Sequence, residues 1–527
     1  MRARVTSLPN HVRKRLARPL QISHYRHTTF SKAFATINDR QMNETKAMLD
    51  PQICEKARLS RDPRFDGLFF TGVLSTGIFC RPVCPAPQPK AANVVYFASA
   101  AAAAEAGLKP CLRCRPETAP GTPAWNGTSA TTARAMHLIR QGVLNDGSVD
   151  SLAARLGMGS RQLRRLFRQH IGATPTAMAN VQRVLFAKKL LAETDLPVTQ
   201  IAFASGFGSL RRFNAAFRKT YRESPSAFRH KGPHPQNAGH FKCALTLAYR
   251  PPLHWERMLA FYRDRAIPGV ESVGANAYHR IIRIDDGVGI IHVQPAAKGH
   301  AVRLEATLPD SRGLMRLVEQ VRRMFDLDAN MQAIVRTLAA DGILAPIVAR
   351  LEGMRLPGAW DVFETAMRAV VGQQISVKAA QTILGRIVQR TAGTYHFDNA
   401  VGLTHCFPTA ATLAQADLTG LGMSVQRTRT LQALARTIAT EPGFLEVRST
   451  LDDFVRRATA LPGIGPWTAQ YIALRGLGEP DAFPAGDLGL AQALSENGIR
   501  PKAHQVLARA EAWRPWRAYA AIYLWNR

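Results

Sequence analysis

Four of the seven cysteines of this 527-residue chain stand in two close pairs, Cys80-x3-Cys84 and Cys111-x2-Cys114. Those spacings let both thiolates of each pair reach one tetrahedral ion, and four sulfurs without a nearby histidine form a donor set that zinc accepts. An iron–sulfur centre fits less well, because bacterial cluster runs repeat their cysteines more tightly. Cys54, Cys243 and Cys406 are scattered, and an odd total in a chain this long argues for a reduced compartment over a disulfide scaffold. Arg81, Lys109, Arg113 and Arg115 flank the quartet and could face phosphate. A second constellation lies in "LPGIGPWTAQYIALRGLGEPDAFPAGDLGL", residues 461–490. Pro462, Gly463 and Gly465 tie a tight hairpin whose glycines let backbone approach a phosphate, with free N–H groups at the next helix start. Further on, Asp487 stands in an apolar setting between Pro484 and Leu488. It either caps the next helix or supplies a reacting carboxylate.

Positioning such groups takes several units. At about 100–200 residues per domain, the length implies three to five. Lys and Arg total 69 against 38 Asp and Glu, a formal charge of +31 distributed along the whole chain, which favours a polyanionic partner, nucleic acid before membrane. No apolar run approaches the roughly 18–20 residues of a membrane span, and no early apolar segment precedes a processing site. A soluble, cytoplasmic, nucleoid-associated protein is expected, with no membrane partner.

Residues 1–57 are basic and lack a sustained period, so they read as a disordered extension that carries no function. From 58 to 118, short alternating strands ("RDPRFDGLFFTGVLSTGIFC") and an alanine-rich helix ("SAAAAAEAGL") surround the cysteines. A Pro/Gly/Thr linker, 115–130, precedes a helical block over 130–230. A second linker, 230–240, separates that block from the rest. "FKCALTLAYR", "YHRIIRI", "VGIIHVQ" and "AVRLEATL" alternate as half-buried antiparallel strands over 241–311, and apolar faces of period 3.6 continue over 312–527.

Within the helical block, "VDSLAARLGMGSRQLRRLFRQHIGATP" reads as helix, glycine turn and helix. Leu152, Ala153, Leu156, Leu163, Leu166 and Phe167 face inward, Ser160 caps the second helix, and Arg161, Gln162, Arg164, Arg165 and Arg168 face outward. "PVTQIAFASGFGSLRRFNAAFRKTYRESPSAFR" repeats the layout with Ser209 as cap, Phe213 and Phe217 inside, and Arg211, Arg212, Arg218 and Lys219 outside. Ordinary helical hairpins with solvated arginines are the plainer alternative. The repetition favours two recognition helices reaching successive major-groove segments.

The words around the cysteines resemble the amino-terminal domain of the Ada response proteins. That resemblance implies a zinc-bound Cys80 thiolate that irreversibly accepts a methyl group from a DNA methylphosphotriester, with Cys84, Cys111 and Cys114 as the other ligands. The double helix-turn-helix block resembles the AraC family, so the two together resemble an Ada regulatory half. The Pro-Cys-His-Arg word of the Ada alkylguanine methyltransferase domain is missing, so no base-alkyl transfer to cysteine is expected. The glycine hairpin with its following acid resembles the HhH-GPD superfamily. Within that superfamily the last 285 or so residues are similar to 3-methyladenine DNA glycosylase II of the AlkA type.

This second resemblance implies Asp487 as the catalytic anion beside an oxocarbenium-like sugar, with Trp467, Tyr471 and Trp525 as the aromatic base pocket, each of which could otherwise be plain packing. Trp467 occupies the position of the lysine in strand-cutting relatives, so a monofunctional hydrolase is expected. Gln373, Gln374, Gly463, Gly465, Arg161, Arg164, Arg165, Arg211 and Arg212 are the expected DNA contacts, with Gln374 standing where the AlkA wedge is leucine.

The expected fold is therefore multidomain: a small α/β zinc domain, an all-α double helix-turn-helix domain, an α+β antiparallel-sheet domain and an all-α helix-hairpin-helix glycosylase domain. One structural and reactive zinc ion, no organic cofactor and no iron–sulfur cluster are expected. Double-stranded DNA is the expected partner, both alkylated and promoter DNA, with RNA polymerase beside it and a monomeric chain. Two other readings stay open: an activator whose last half only clamps DNA, and a constitutive glycosylase whose zinc domain only docks.

Overall fold

The computed structural model describes residues 49–120, 130–229, 241–285, 287–397, 402–448 and 450–527. Most of the expected extension and the cores of both linkers, 121–129 and 230–240, lie outside the described residues. The extension expected to run to 57 is nevertheless replaced at its end by helix α1 (Pro51–Ser60). Asp50 accepts the N–H of Gln52 at 2.7 Å and Pro51 opens the helix, a start signal set among polar residues with no apolar period around it. The helix buries Cys54 and Ala57 against Phe65, Leu68 and Phe69. Arg58 Nε donates to Glu55 Oε2 at 3.0 Å and to Tyr96 OH at 3.4 Å, which ties the helix to the sheet behind it.

That sheet has the order β3-β1-β2-β4, from β1 (Phe70–Val73), β2 (Ile78–Cys80), β3 (Val94–Phe97) and β4 (Lys109–Pro110). Three strands pair antiparallel, whereas β4 runs parallel to β2 with Pro110 opposite Phe79. Helix α2 (Ala100–Glu105), capped by Ser99, returns the chain to that edge.

The helical block contains α3 (Ala130–Arg140), α4 (Val149–Arg155), α5 (Ser160–Ile171), α6 (Pro175–Glu193), α7 (Val198–Ala204) and α8 (Leu210–Tyr221). Turns at Gly157 and Gly206, with φ of 67° and 79°, separate α4 from α5 and α7 from α8. Leu152, Ala153, Leu156, Leu163, Phe167, Ile201, Ala202, Phe213 and Phe217 are buried. Ser209 caps α8 by accepting the N–H of Arg212. Ser160 does not cap α5: Gly159 holds the cap position, and Ser160 Oγ accepts from Arg164 Nη1 at 3.4 Å.

β5 (Phe241–Ala248), β6 (Glu271–Val273), β7 (Tyr278–Ile284), β8 (Gly287–Pro295) and β9 (Ala301–Leu308) form an antiparallel sheet of order β5-β9-β8-β7-β6. Helices α9 (Trp255–Arg263) and α10 (Leu314–Met324) cover it. The boundary expected at 311 is displaced by that packing. Leu314, Leu317, Val321 and Met324 recur along one face of α10 and join the sheet's core, so this helix belongs with the strands. The same core takes in Val184, Leu190, Ile201 and Phe217, so the second helix-turn-helix unit and the sheet share one apolar interior despite the linker between them.

The carboxy lobe is all helical, and α11 (Val362–Val371), α12 (Val377–Thr391), α13 (Val425–Thr440), α14 (Leu451–Thr459), α15 (Pro466–Ile472), α16 (Leu488–Ala493) and α17 (Arg517–Trp525) frame its functional face. Its seam with the sheet is a buried charge cluster. Arg280 Nη1 donates to Glu271 at 2.9 Å and to Glu364 of α11 at 3.2 Å, Arg368 donates to Glu364 at 2.7 Å, and Tyr278 OH donates to Glu271 at 2.6 Å. Removing one partner from such a cluster leaves a buried charge uncompensated, typically about 3–5 kcal/mol.

Candidate functional site

The metal centre is assembled by strand pairing. Because β4 lies parallel to β2, Cys111 N donates to Phe79 O at 3.0 Å, which sets the second cysteine pair beside Cys80. Cys84 returns through a turn closed by its N–H on Arg81 O at 3.1 Å. All four Sγ atoms lie within 4.8 Å of one another, close enough for one tetrahedral ion to reach them all, and they form the one such group among the described residues. Cys111 and Cys114 are buried, whereas Cys80 and Cys84 keep partial exposure.

Two of the four nearby basic residues are not free for phosphate. Arg81 donates to Asp66 at 2.9 Å, to Thr118 Oγ1 at 2.7 Å and to the carbonyl of Cys114 at 3.1 Å. Arg115 pairs with Glu117 at 3.2 Å. Lys109 and Arg113 are exposed. Arg161, Arg164 and Arg165 on α5 and Arg211 and Arg212 on α8 are all exposed, so both units present a basic outer face.

In the carboxy lobe, α14, the glycine hairpin and α15 run in sequence. Gly463 has φ 85°, and a Cβ there would sit 2.1 Å from Thr430 Oγ1, so glycine is required by the fold itself. Gly465 is different: nothing lies within 4 Å of a Cβ placed there. Its space is open to a ligand's approach, at a helix start that no side chain caps. Gln373 is engaged within the protein, its Nε2 donating to Gly463 O and Thr468 Oγ1, both at 3.0 Å. Its amide nitrogen thereby braces the hairpin, while the residue stays partly exposed. Gln374 is exposed, in the left-handed region at φ 56°.

Asp487 both caps a helix and faces a cavity. Its Oδ1 accepts Leu490 N at 3.1 Å, the capping bond of α16, and Trp525 Nε1 at 2.8 Å; its Oδ2 accepts Trp467 Nε1 at 2.9 Å. Three N–H donors thereby hold the carboxylate in one orientation. The cavity, about 630 Å³, lies between α9 and the carboxy lobe and is lined by Phe261, Trp467, Tyr471, Arg475, Asp487 and Trp525 among others. Trp467 and Tyr471 stack with centroids 5.2 Å apart and planes 16° apart. The three aromatic residues expected from the sequence are thus brought together with the acid.

Arg475 was not expected there. After α15 the chain widens into a π-helical turn, Ala473–Leu477, and this turn carries Arg475 into the ring cluster. Its guanidinium carbon lies 4.3 Å from the centroid of Phe261, 5.2 Å from Trp525 and 5.9 Å from Tyr471. The only hint in the sequence is a lone arginine in the apolar word "YIALRGLG".

Among the described residues no helix is long and apolar enough to cross a membrane. Family models match in sequence along the chain: the metal binding domain of Ada over 53–117, a helix-turn-helix domain over 152–231, the AlkA N-terminal domain over 244–361, and the HhH-GPD superfamily base excision DNA repair protein over 367–518. A probable bifunctional transcriptional activator/DNA repair enzyme AlkA of Mycobacterium tuberculosis is 41% identical over 485 residues, covering 90% of this chain and 96% of that protein. DNA-3-methyladenine glycosylase 2 of Escherichia coli is 31% identical over 284 residues, 53% of this chain and 96% of that enzyme. The bifunctional transcriptional activator/DNA repair enzyme Ada of Escherichia coli is 32% identical over 194 residues, 36% of this chain and 52% of that protein. The four-cysteine centre, the paired helix-turn-helix units and the carboxylate at the aromatic cavity occur in the order of these matches, and the chain belongs to the family of bifunctional transcriptional activator/DNA repair enzymes that join an Ada-type regulatory half to an AlkA-type HhH-GPD half.

Proposed function

We propose that the carboxy half hydrolyses the glycosidic bond of N-alkylated bases in double-stranded DNA, and that the amino half takes a methyl group from the DNA backbone onto Cys80 and then activates transcription. The observation that carries the first part is the Asp487 carboxylate, fixed by two indole N–H groups on the wall of an aromatic cavity. As the base departs with the bonding electrons, the sugar becomes cationic. A carboxylate about 4 Å away at an effective dielectric of about 20 stabilises that cation by about 4 kcal/mol. That is about a thousandfold in rate. The flipped base would lie against Trp467, Tyr471 and Trp525, and exposed Gln374 is suited to fill the gap it leaves. Among the described residues lining the cavity there is no lysine, which supports simple hydrolysis over an amine-linked intermediate and strand cleavage.

Cys80, Cys84, Cys111 and Cys114 would hold a zinc ion, which when bound would keep sulfur as thiolate at neutral pH. The Cys80 sulfur would bond to the methyl carbon while the methyl–oxygen bond of the phosphotriester breaks, leaving an ordinary diester anion. Losing one negative ligand charge then favours DNA binding by the basic faces of α5 and α8. RNA polymerase is the further partner that activation implies. Two recognition helices on one chain let a monomer occupy the promoter.

The test is purified protein with alkylated duplex DNA, the released bases identified by chromatography. Asp487→Asn should lower release about a thousandfold without changing DNA affinity; unchanged release would leave the carboxy half a mere clamp. Strand breaks without added base or heat would overturn monofunctional hydrolysis. Incubation with methylphosphotriester DNA should add about 14 Da to the Cys80 peptide, and an unmodified peptide would reduce the zinc domain to a docking module.

A further inference from the structure

Arg475 is an unusual group to find in a pocket expected to receive cationic bases. It is 7% exposed, no carboxylate pairs with it among the described residues, and its Nε has no acceptor. Its Nη1 donates to the carbonyl of Pro357 at 3.1 Å, and Tyr471 OH stands close enough to accept from it. Burial pulls it down to about 10, so it remains a cation at neutral pH. A charge kept in that condition is costly to the fold and is not explained by packing alone.

Its neighbours relate it to the reacting carboxylate. Trp525 carries Arg475 over its ring at 5.2 Å and donates its N–H to Asp487 at 2.8 Å. By a second route, Arg475 lies 5.9 Å from Tyr471, Tyr471 stacks on Trp467, and Trp467 donates to Asp487 at 2.9 Å. The same aromatic rings therefore stand between a fixed negative charge and a fixed positive one. Both charges line a single cavity.

We propose that Arg475 is the positive pole of the glycosylase site, stabilising the electron pair that moves onto the departing base while Asp487 stabilises the sugar. This rests on the proposed glycosylase reading of Asp487. When the C1′–N bond breaks, both electrons go to the base nitrogen, so the base loses one unit of charge whatever it began with. A cationic base leaves neutral; a neutral base leaves as an anion and takes a proton from solvent. Water bonds to C1′ and gives up its proton to the Asp487 carboxylate or to solvent. A fixed cation beside the base favours every such departure. It also repels a cationic base before the reaction and not a neutral one. The charge thus acts oppositely on binding and on chemistry for one class of lesion, which simple packing would not do.

The experiment uses full-length protein and duplexes carrying 7-methylguanine, a cationic base, or hypoxanthine, a neutral one. Arg475→Gln removes the charge and retains a donor for the Pro357 carbonyl; Arg475→Lys keeps the charge. Single-turnover release by Arg475→Gln should fall on the order of 10- to 100-fold for both bases, while its affinity for the 7-methylguanine duplex is unchanged or tighter. Arg475→Lys should recover most of the rate. Equal rates for Arg475→Gln and wild type, or a Lys variant no faster than the Gln variant at wild-type melting temperature, overturn the proposal. A parallel loss of rate and affinity on both duplexes, with a lowered melting temperature, would assign Arg475 to structure and also overturn it. An inactive wild type, or a fully active Asp487→Asn, would instead refute the glycosylase reading beneath.

Discussion

Replacing Trp467 by Phe isolates what the indole N–H does for the Asp487 carboxylate. The ring that stacks on Tyr471 survives, and only the donor to Asp487 Oδ2 is lost. Oδ1 keeps both of its donors, Leu490 N at 3.1 Å and Trp525 Nε1 at 2.8 Å, so the carboxylate stays in place while Oδ2 loses the donor that fixes its aim. A hydrogen bond to a charged group contributes about 1.5–3 kcal/mol. If the full value is used in aiming the carboxylate, single-turnover base release falls about 10- to 150-fold. Trp525→Phe should cost less, because Oδ1 retains the backbone donor of its helix cap. The assay is single-turnover release of hypoxanthine with protein in excess, paired with duplex affinity, which should not change in either variant. A Trp467→Phe enzyme as fast as wild type, or slower only in proportion to weakened DNA binding, would refute the idea that this donor orients Asp487.

Three further outcomes follow from the geometry. Gly463→Ala, with φ 85° and a Cβ 2.1 Å from Thr430 Oγ1, should lower stability by about 2–3 kcal/mol in denaturant unfolding, whereas Gly465→Ala should leave stability within about 0.5 kcal/mol and weaken only DNA binding. Glu479→Gln removes the acid that receives Arg134 at 2.8 Å, in a pair whose side chains are 5% and 11% exposed; limited proteolysis should then release the α3 region from the carboxy lobe, with a loss of about 3–5 kcal/mol. In acid, burial drives Glu271 upward, but Arg368 and Arg280 more than offset it and hold the carboxyl at about 2. The unfolded chain therefore binds more protons between about pH 4.5 and 2, and up to about 3 kcal/mol of stability present above that window is lost as pH falls through it. Burial moves Asp326 the other way, up to about 6, so its contribution declines as pH rises from about 4 to 6; Glu271→Gln should flatten the acid limb of the unfolding curve and leave the slope above pH 4.

The metal centre was legible because its ligands lie in two short words, and the parallel β2–β4 pairing had only to bring them together. Asp487 and its aromatic partners were legible through the hairpin that precedes them. Position alone could not say whether the acid capped a helix or faced a cavity, and it does both: Oδ1 caps the helix while Oδ2 takes the indole N–H of Trp467 on the cavity wall. Gln373 could not be read as a brace, since its partners Gly463 and Thr468 lie about ninety residues away. The stripe on α10 showed an apolar face without showing that strands, not helices, would cover it. Arg475 was the largest omission. Its meaning depends on a π-helical turn that no periodicity announces and on Phe261 arriving from another domain.

Charge placement connects these particulars. With 38 acids against 69 basic residues, carboxylates are the scarce species in this chain, and several stand at its internal seams. Glu479, Glu319, Asp328 and Glu446 receive Arg134, His137, Arg140 and Arg155 of the regulatory half, while Glu364 with Arg280 and Glu271 with Arg368 join the sheet to the lobe. The arginines of α5 and α8 keep exposed outer faces and pair with no acid among the described residues. Screening by salt therefore acts unequally. Exposed arginines lose affinity for phosphate steeply as ionic strength rises, whereas pairs such as Arg134–Glu479 and Arg140–Asp328, withdrawn from water, are screened far less. The same separation holds inside the cavity: Asp487 has donors on both oxygens, and no acid among the described residues pairs with Arg475.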